Sequence, residues 1–164
     1  MTAREALRSL VGRIETEEPS RELDAEIAAA LCILPPTRDC PHWLGKSCFD
    51  FVAFPDGTVR ENFGNGKFGF TWESARLTSS IDAQLPGEDD GYWVIKGPHE
   101  GRWHACYHPP GTGAGWDGEA STEAMARRAA YLKSQLAEKE ARDDTATNER
   151  SQKNTGPEGP ALVS

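Results

Sequence analysis

Residues 92–107 read YWVIKGPHEGRWHACY, and residues 121–136 read STEAMARRAAYLKSQL. The first string has two aromatic-rich, strand-like runs around a Gly-Pro-His-Glu-Gly loop, which is typical of a β-hairpin. Trp93 and Ile95 fall on one face of the first strand, because side chains alternate along a strand. The second string opens with Ser-Thr, which cap helices, and continues with alanines at helical spacing. We therefore expect this helix to cover the aromatic face of the hairpin.

The two surfaces that we expect to meet are well matched. On the second strand the inward residues are Trp103, Ala105 and Tyr107. On the helix they are Ala126, Ala129, Ala130, Leu132 and Leu136. A mostly alanine face allows a helix to lie close to a flat sheet of large aromatic side chains.

Two helices and a further hairpin are predicted before residue 77. Apolar residues recur at three- and four-residue spacing in Leu7–Ile14 and again in Leu23–Leu31, where Ser20 offers an N-cap. Turn residues at Pro55–Thr58 and glycines within residues 62–69 separate aromatic, strand-like runs. These patterns favour antiparallel strands after the second helix.

The segments around the central hairpin are read from their local composition. Thr78, Ser79 or Ser80 can cap a short helix at Ile81–Leu85, which Pro86 would end. The acidic run Glu88–Asp90 is expected to be a solvated turn, because it lacks the spaced oxygen ligands of a calcium loop. Residues Pro109–Gly118 are expected to form a glycine-rich loop.

Together these elements predict an α+β fold in which helices pack on a small antiparallel β-sheet of four strands, in helix-sheet-helix layers. We expect an N-terminal helix or flexible arm at residues 1–19 and a single α+β domain at residues 20–137. A charged, disordered C-terminal tail is expected at residues 138–164, beginning as a brief solvated helix, since periodic apolar residues stop there.

Composition excludes several classes of function. The formal net charge is −8, and a surface that binds phosphates is normally basic, so a nucleic-acid partner is not expected. No apolar run approaches the roughly 18–20 residues of a membrane span, and the N-terminus lacks the apolar segment of a secretory signal. We therefore expect a cytoplasmic protein. Its acidity serves either solubility or a basic protein partner.

No catalytic or cofactor-binding residues are predicted. Cys40 and His42 are the closest thiol and imidazole in sequence, but no third residue or oriented base accompanies them. Residues 113–118 match Gly-x-Gly-x-x-Gly, yet neither a ribose-binding acid nor a βαβ unit follows them. We therefore do not expect an enzyme. In a reducing compartment the cysteines, namely Cys32, Cys40, Cys48 and Cys106, are expected to be free thiols.

A zinc site is the alternative that the sequence leaves open. On a strand, His104, Cys106 and His108 point to one side, and Cys40, His42 or Cys48 could complete a tetrahedral set. Against this, the chain has no Cys-x-x-Cys pair, and alternate strand residues are about 6.5–7 Å apart. We therefore predict no metal ligands, and the alternative function is a zinc-stabilised binding module.

Two tryptophans lie in Gly/Pro-rich segments. Trp43 and Trp116 are the tryptophans that we expect to be more exposed, whereas the others are expected in the core. If both are exposed together, they would mark a binding patch.

Three blocks resemble the phage ABA sandwich domain, a family of small proteins encoded in bacteriophages and prophages. The blocks are LDAEIAAAL at residues 23–31, LTSSIDAQLP at residues 77–86, and Trp93, Trp103 and Ala105 followed by STEAMARRAA at residues 121–130. The second block is similar to a recurrent Tyr-Thr-x-Ser-x-Asp-Ala-Ala, with Leu77 and Gln84 as departures. The resemblance covers about residues 21–136.

The resemblance implies a helix-sheet-helix fold and a phage or prophage origin, and the family has no established activity to carry over. With the composition, it leads us to expect a non-enzymatic accessory protein of the host bacterial cytoplasm that binds a protein partner through an acidic surface. The oligomeric state stays open.

Overall fold

The computed structural model describes residues 3–31, 33 and 50–154. The helices in these ranges are α1 (Ala3–Thr16), α2 (Arg21–Ala30) and α3 (Glu123–Asn154). The strands are β1 (Asp50–Ala53), β2 (Thr58–Gly64), β3 (Lys67–Glu73), β4 (Tyr92–His99), β5 (Arg102–His108) and β6 (Trp116–Ala120). A short 3-10 turn covers Glu88–Asp90.

The strands form two antiparallel, three-stranded sheets in the orders β1-β2-β3 and β4-β5-β6. The predicted α+β class is confirmed. The sequence predicted a single sheet of four strands. The structure differs because β6 pairs with β5, and because β1 and β3 both pair with β2 instead of with the second hairpin. α3 packs on one face of the β4-β5-β6 sheet with α1 beside it, whereas α2 packs against the β1-β2-β3 sheet. Tyr92 and Val94 are exposed on the other face of the β4-β5-β6 sheet.

α3 lies across β5 and β6 with its alanine face inward. Ala126, Ala129 and Ala130 are fully buried beside the aromatic side chains of β4 and β5. Gly118 of β6 lies directly beneath them, and a Cβ there would be 2.2 Å from the carbonyl oxygen of Ala126. Only glycine permits this approach of the two backbones. The predicted packing of the alanine stripe on the hairpin is confirmed.

α1 and α2 complete two adjoining cores. The apolar stripe of α1 is buried with the inner face of α3 and consists of Leu7, Leu10, Val11 and Ile14. Ser20 caps α2 by accepting a hydrogen bond from the Leu23 amide, as the sequence predicted. Ala25 and Ala28 of α2 pack against Val59 and Trp72 of the first sheet.

Residues 77–87 form an irregular loop where the sequence predicted a short helix at Ile81–Leu85. That helix would be well below the length that is stable by itself. Three carbonyl groups of the loop instead accept hydrogen bonds from the side chain of Arg128. α3 therefore shapes this loop more than its own sequence does.

α3 continues to Asn154, beyond the brief helical extension that the sequence predicted after Glu138. Its second half is exposed but forms ion pairs with Arg4 and Arg8 of α1, and it is rich in helix-forming residues. Residues 155–164 of the predicted tail lie outside the described residues. Neither α3 nor any other described helix combines the length and apolarity needed to cross a lipid bilayer.

The glycine-rich loop is shorter than the predicted Pro109–Gly118, because the chain enters β6 at Trp116. Gly118 is therefore a strand residue, and its lack of a side chain serves the contact with α3. The glycines of this segment are typical of a loop, so the sequence did not predict the strand β6.

Candidate functional site

A pocket of about 570 Å³ opens between α3 and the loop that joins β5 to β6. Tyr107, Trp116 and Tyr131 form its aromatic wall, and Asp90 and Glu138 supply carboxylates. Further apolar lining comes from Pro109, Pro110, Ala137 and Ala141. Among the described residues, no Lys, Arg or His side chain lines it. We call it the acidic aromatic pocket.

One stripe of α3 supplies much of this lining. Its members are Tyr131, Ser134, Gln135, Glu138 and Ala141, at the three- and four-residue spacing of a helix face. The alanine stripe of this helix was predictable from the sequence, whereas the pocket was not predicted. A second stripe, part aromatic and part polar, beside a buried one was the signal that could have found it.

The two tyrosine hydroxyls of the pocket hold the turn before the 3-10 segment. Tyr131 donates to the carbonyl oxygen of Pro86, and Tyr107 donates to that of Gly87 at 3.2 Å. The rings meet edge to face with centroids 5.2 Å apart. Gly87 has a φ of +89°, and a Cβ there would lie 2.7 Å from the Tyr131 hydroxyl, so glycine is required twice over.

Both hydroxyls stay protonated at neutral pH. Burial raises the pKa of Tyr131 to about 12, with smaller contributions from Tyr107 and from the charges of Glu88, Asp90 and Glu138. Burial and the charge of Asp90 also raise the pKa of Tyr107. A phenol with a raised pKa is a poor general base. These groups therefore serve as neutral, oriented wall residues.

A buried ion pair behind the pocket positions its acidic turn. Both carboxylate oxygens of Glu88 accept hydrogen bonds from Nη1 of Arg128, at 2.8 and 2.7 Å. The two side chains are 3% and 0% exposed, so the prediction of a fully solvated acidic turn was wrong at Glu88. Trp93 donates to the Glu88 carbonyl oxygen at 3.1 Å. The next residues, Asp89 and Asp90, are exposed as predicted.

Arg128 also binds the loop that precedes this turn. Its Nε donates to the carbonyl oxygen of Leu77 at 3.0 Å, and its Nη2 donates to those of Ser80 and Ala83. Burial raises the pKa of Glu88, although the charge of Arg128 opposes that change. The pair is therefore costly to desolvate, and the loop carbonyls use the remaining donors of the guanidinium.

Thr78 belongs to a second buried polar cluster. Its amide and its hydroxyl donate to Oδ1 of Asp24 at 2.7 and 2.8 Å, and Arg21 donates to Oδ2 at 2.7 Å. The sequence predicted Thr78 as one of three possible helix caps, whereas it joins α2 to the loop. Its carbonyl oxygen accepts a hydrogen bond from Thr122, the residue just before α3. This cluster links α2 and the start of α3 to the loop at residues 77–87.

The candidate zinc ligands on β5 lie on the open face of the second sheet. Cys106 Sγ is 3.3 Å from Nε2 of His108, and the ring of His108 stacks on Tyr92 with centroids 4.4 Å apart. His104 lies on the same face, 4.0 Å from a carboxylate oxygen of Glu119. Within residues 3–31, 33 and 50–154, no three His, Cys, Asp or Glu side chains are placed to hold a metal ion.

The remaining residues of the zinc hypothesis and of the thiol pair lie outside the described residues, namely Cys40, His42 and Cys48. Trp43 of the predicted binding patch lies outside them as well. Burial, with a further contribution from Asp117, raises the pKa of Cys106, so its sulfur is a thiol at neutral pH. A thiol is a weaker nucleophile and metal ligand than a thiolate. The zinc alternative stays a prediction.

Comparison with models of known protein families, with curated proteins and with solved structures found no match.

Proposed function

We propose that this chain is a non-enzymatic phage or prophage accessory protein that acts in the bacterial cytoplasm by binding a protein partner through its acidic surface. The acidic aromatic pocket is the centre of that surface. The observation that carries the proposal is its lining, in which three aromatic rings and two carboxylates meet with no basic side chain among the described residues. Pockets of about 300–1,000 Å³ with a few polar groups are typical of binding sites.

The chemistry of the pocket supports binding over catalysis. Its hydroxyl groups are hydrogen-bonded to backbone carbonyl oxygens, and its two tyrosines have raised pKa values. A nucleophile needs a neighbouring base in hydrogen-bond reach, whereas these four hydroxyls donate to backbone carbonyl oxygens and not to the carboxylates of Asp90 or Glu138. Aromatic and acidic groups instead suit a cationic partner.

The three sequence blocks behind the phage resemblance contact one another. Asp24 of the first block binds Thr78 of the second, and Arg128 of the third binds Leu77 and Ser80 of the second. These hydrogen bonds give the three blocks a structural role, because they join α2, the loop at residues 77–87 and α3.

The test is a titration of the whole chain with two short peptides of equal length, one carrying several Lys and Arg residues and one carrying Glu at the same positions. Amide and indole signals in NMR spectra report where each peptide binds. We expect saturable shifts at Trp116 and along residues 131–141 with the basic peptide alone. The affinity should fall steeply with salt, since exposed charges are screened.

Matched variants test whether the carboxylates of the pocket cause this binding. Asp90→Asn with Glu138→Gln should weaken the basic peptide by about fivefold to tenfold. Asp89→Asn removes a neighbouring exposed carboxylate that does not line the pocket, and it should leave the affinity unchanged. Equal shifts with the acidic peptide, or equal losses in the two variants, would refute the proposal.

A further inference from the structure

The hydrogen-bonding groups of the acidic aromatic pocket are mostly acceptors. Four lining residues carry hydroxyl groups that donate to backbone carbonyl oxygens, namely Tyr107, Thr112, Tyr131 and Ser134, at 3.2, 3.3, 2.5 and 2.6 Å. Each hydroxyl oxygen therefore offers lone pairs but no hydrogen. Asp90 and Glu138 add carboxylate oxygens, which only accept when ionised. Remaining N–H donors in the lining side chains belong to Trp116 and Gln135.

A ligand that suits such a pocket must donate many hydrogen bonds and accept few. The arginine side chain has five N–H donors and no acceptor, whereas amides and hydroxyls carry both. A carboxylate or phosphate would meet acceptors and two negative charges. Donor balance and charge therefore both select a cation.

The aromatic wall favours a guanidinium over an ammonium. A guanidinium is planar, stacks on aromatic rings and is less strongly hydrated than an ammonium, so moving it against the partly exposed ring of Trp116 costs less. Its N–H groups also point in several directions in one plane, which suits carboxylates contributed by two different elements. Asp90 lies on the 3-10 turn and Glu138 on α3.

At the rim of the pocket, Glu138 is already paired with an arginine of the chain. Nη2 of Arg142 lies 2.5 Å from a carboxylate oxygen of Glu138, one helical turn away. Arg142 is 76% exposed, so the pair is weak and easily replaced. A guanidinium that could also enter the pocket would gain the aromatic contacts that Arg142 lacks.

We infer that the acidic aromatic pocket binds the guanidinium of an arginine side chain carried by a segment of the partner protein. The inference rests on the proposed function and specifies the group that the pocket recognises. The arginine stem lies along the proline and alanine lining, and the guanidinium lies between the aromatic wall and the two carboxylates.

The experiment compares three capped tripeptides, Gly-X-Gly, in which X is arginine, lysine or citrulline. Citrulline has the shape of arginine without its charge. Each is titrated into the whole chain and followed by NMR. We expect the arginine peptide to shift the Trp116 indole and residues 131–141, with an affinity at least about threefold above lysine and about tenfold above citrulline.

Three substitutions sharpen the result. Trp116→Phe keeps a smaller ring and should weaken the arginine peptide by about threefold to tenfold. Arg142→Gln removes the competing guanidinium from Glu138 and should tighten binding by about twofold. Asp89→Asn is the control and should change nothing. A gain of affinity in Arg142→Gln cannot come from loss of folding.

The outcomes separate this inference from the proposed function. Lysine and arginine binding equally at the pocket would refute the arginine inference and leave the proposed function standing. Citrulline binding as tightly as arginine, or weaker binding in Arg142→Gln, would also refute the inference. If neither the tripeptides nor the longer basic peptide shifts the pocket signals, both proposals fail.

Discussion

Arg128 is a charged side chain on an otherwise apolar face of α3, and it organises the loop and turn beside the pocket. It is fully buried, pairs with Glu88 and donates to three backbone carbonyl oxygens of the loop. A methionine there would remove the charge and all of these hydrogen bonds while nearly filling the same space. The Glu88 carboxylate would then be buried without its partner.

We predict that Arg128→Met lowers the free energy of unfolding by about 3–5 kcal/mol at neutral pH, measured by urea denaturation. The loss should shrink at acidic pH. The folded pKa of Glu88 is already raised above 4.5, so its contribution to stability is largest below that pH and decreases as the pH rises. Removing Arg128 raises the pKa of Glu88 further. The loss of unfolding free energy in Arg128→Met should therefore be larger at pH 7 than at pH 4.

Two comparisons control for this prediction. Adding Glu88→Gln to Arg128→Met removes the titrating group, so the difference between the two pH values should disappear. Arg127→Met alters a half-buried neighbour and should cost about 1 kcal/mol or less. A deficit in Arg128→Met that is the same at both pH values would contradict the proposed cause.

Alkaline titration should separate the tyrosines of the chain. Phenolate absorbance is expected to show a step near pH 12 from Tyr131, which Tyr131→Phe removes. Because the folded pKa exceeds the ordinary 10.0, this group's contribution is present below pH 10 and is lost as the pH rises toward 12. A variant that keeps the highest step would show that another tyrosine is responsible.

Sequence patterns could not identify these residues. Arginine in a helix is normally exposed, and Glu88 lies 40 positions from Arg128, so no local spacing connects them. Thr78 and Asp24 are similarly distant, 54 positions apart. The pocket likewise draws on residues from a turn, a loop and a helix, which only the folded chain brings together.

At the scale of the elements, the contact between α3 and β6 leaves no room for a side chain at Gly118. A Cβ on Gly118 would be 2.2 Å from the Ala126 carbonyl oxygen and 2.5 Å from the Ala130 amide nitrogen. Both are backbone atoms, so no rotamer change can make room. The helix would have to move away from the sheet, and the alanine stripe would lose its close packing.

We therefore predict that Gly118→Ala lowers the free energy of unfolding by about 1–3 kcal/mol, as overpacking typically does. Gly113→Ala is the matched control, since a Cβ there has nothing within 4 Å, and it should change stability by less than about 0.5 kcal/mol. Thermal denaturation of the two variants measures the difference. Equal melting temperatures would contradict the close packing at Gly118.

Elements with a strong local pattern were predictable, and those set by tertiary contacts were not. α1, α2 and the central hairpin follow from apolar spacing, an N-cap and turn residues. The segment 77–87 follows from hydrogen bonds to α3, and β6 is a strand despite its glycine. The added length of α3 depends partly on ion pairs with α1. Local sequence patterns do not predict these pairs, because the paired residues are far apart in the sequence.

At the scale of the whole molecule, α1 is part of the main core, although the sequence predicted a helix or flexible arm outside the domain at residues 1–19. Four of its side chains are buried, namely Leu7, Leu10, Val11 and Ile14. At about 1.5–3 kcal/mol for each, their burial amounts to about 6–12 kcal/mol. The total stability of a domain is typically about 5–15 kcal/mol.

We predict that deleting residues 1–17 abolishes cooperative unfolding, whereas ending the chain after Asp144 changes stability by less than about 0.5 kcal/mol. Residues 145–152 are exposed, so their removal uncovers little apolar surface. Circular dichroism during urea unfolding measures both. A cooperative transition in the first variant, at the midpoint of the intact chain, would show that α1 adds nothing to the core.

The hydrogen bonds from Arg128 also determine how the irregular loop at residues 77–87 behaves in time. The carbonyl groups of an ordinary surface loop are free to turn outward, and such loops exchange their amide hydrogens through small local openings. Here three loop carbonyls accept hydrogen bonds from a buried guanidinium on another element, so opening the loop requires breaking all three or moving α3. The hydrogen-bonded amides of this loop should therefore exchange more slowly than those of an ordinary surface loop, and Arg128→Met should bring their exchange rates up to those of such a loop.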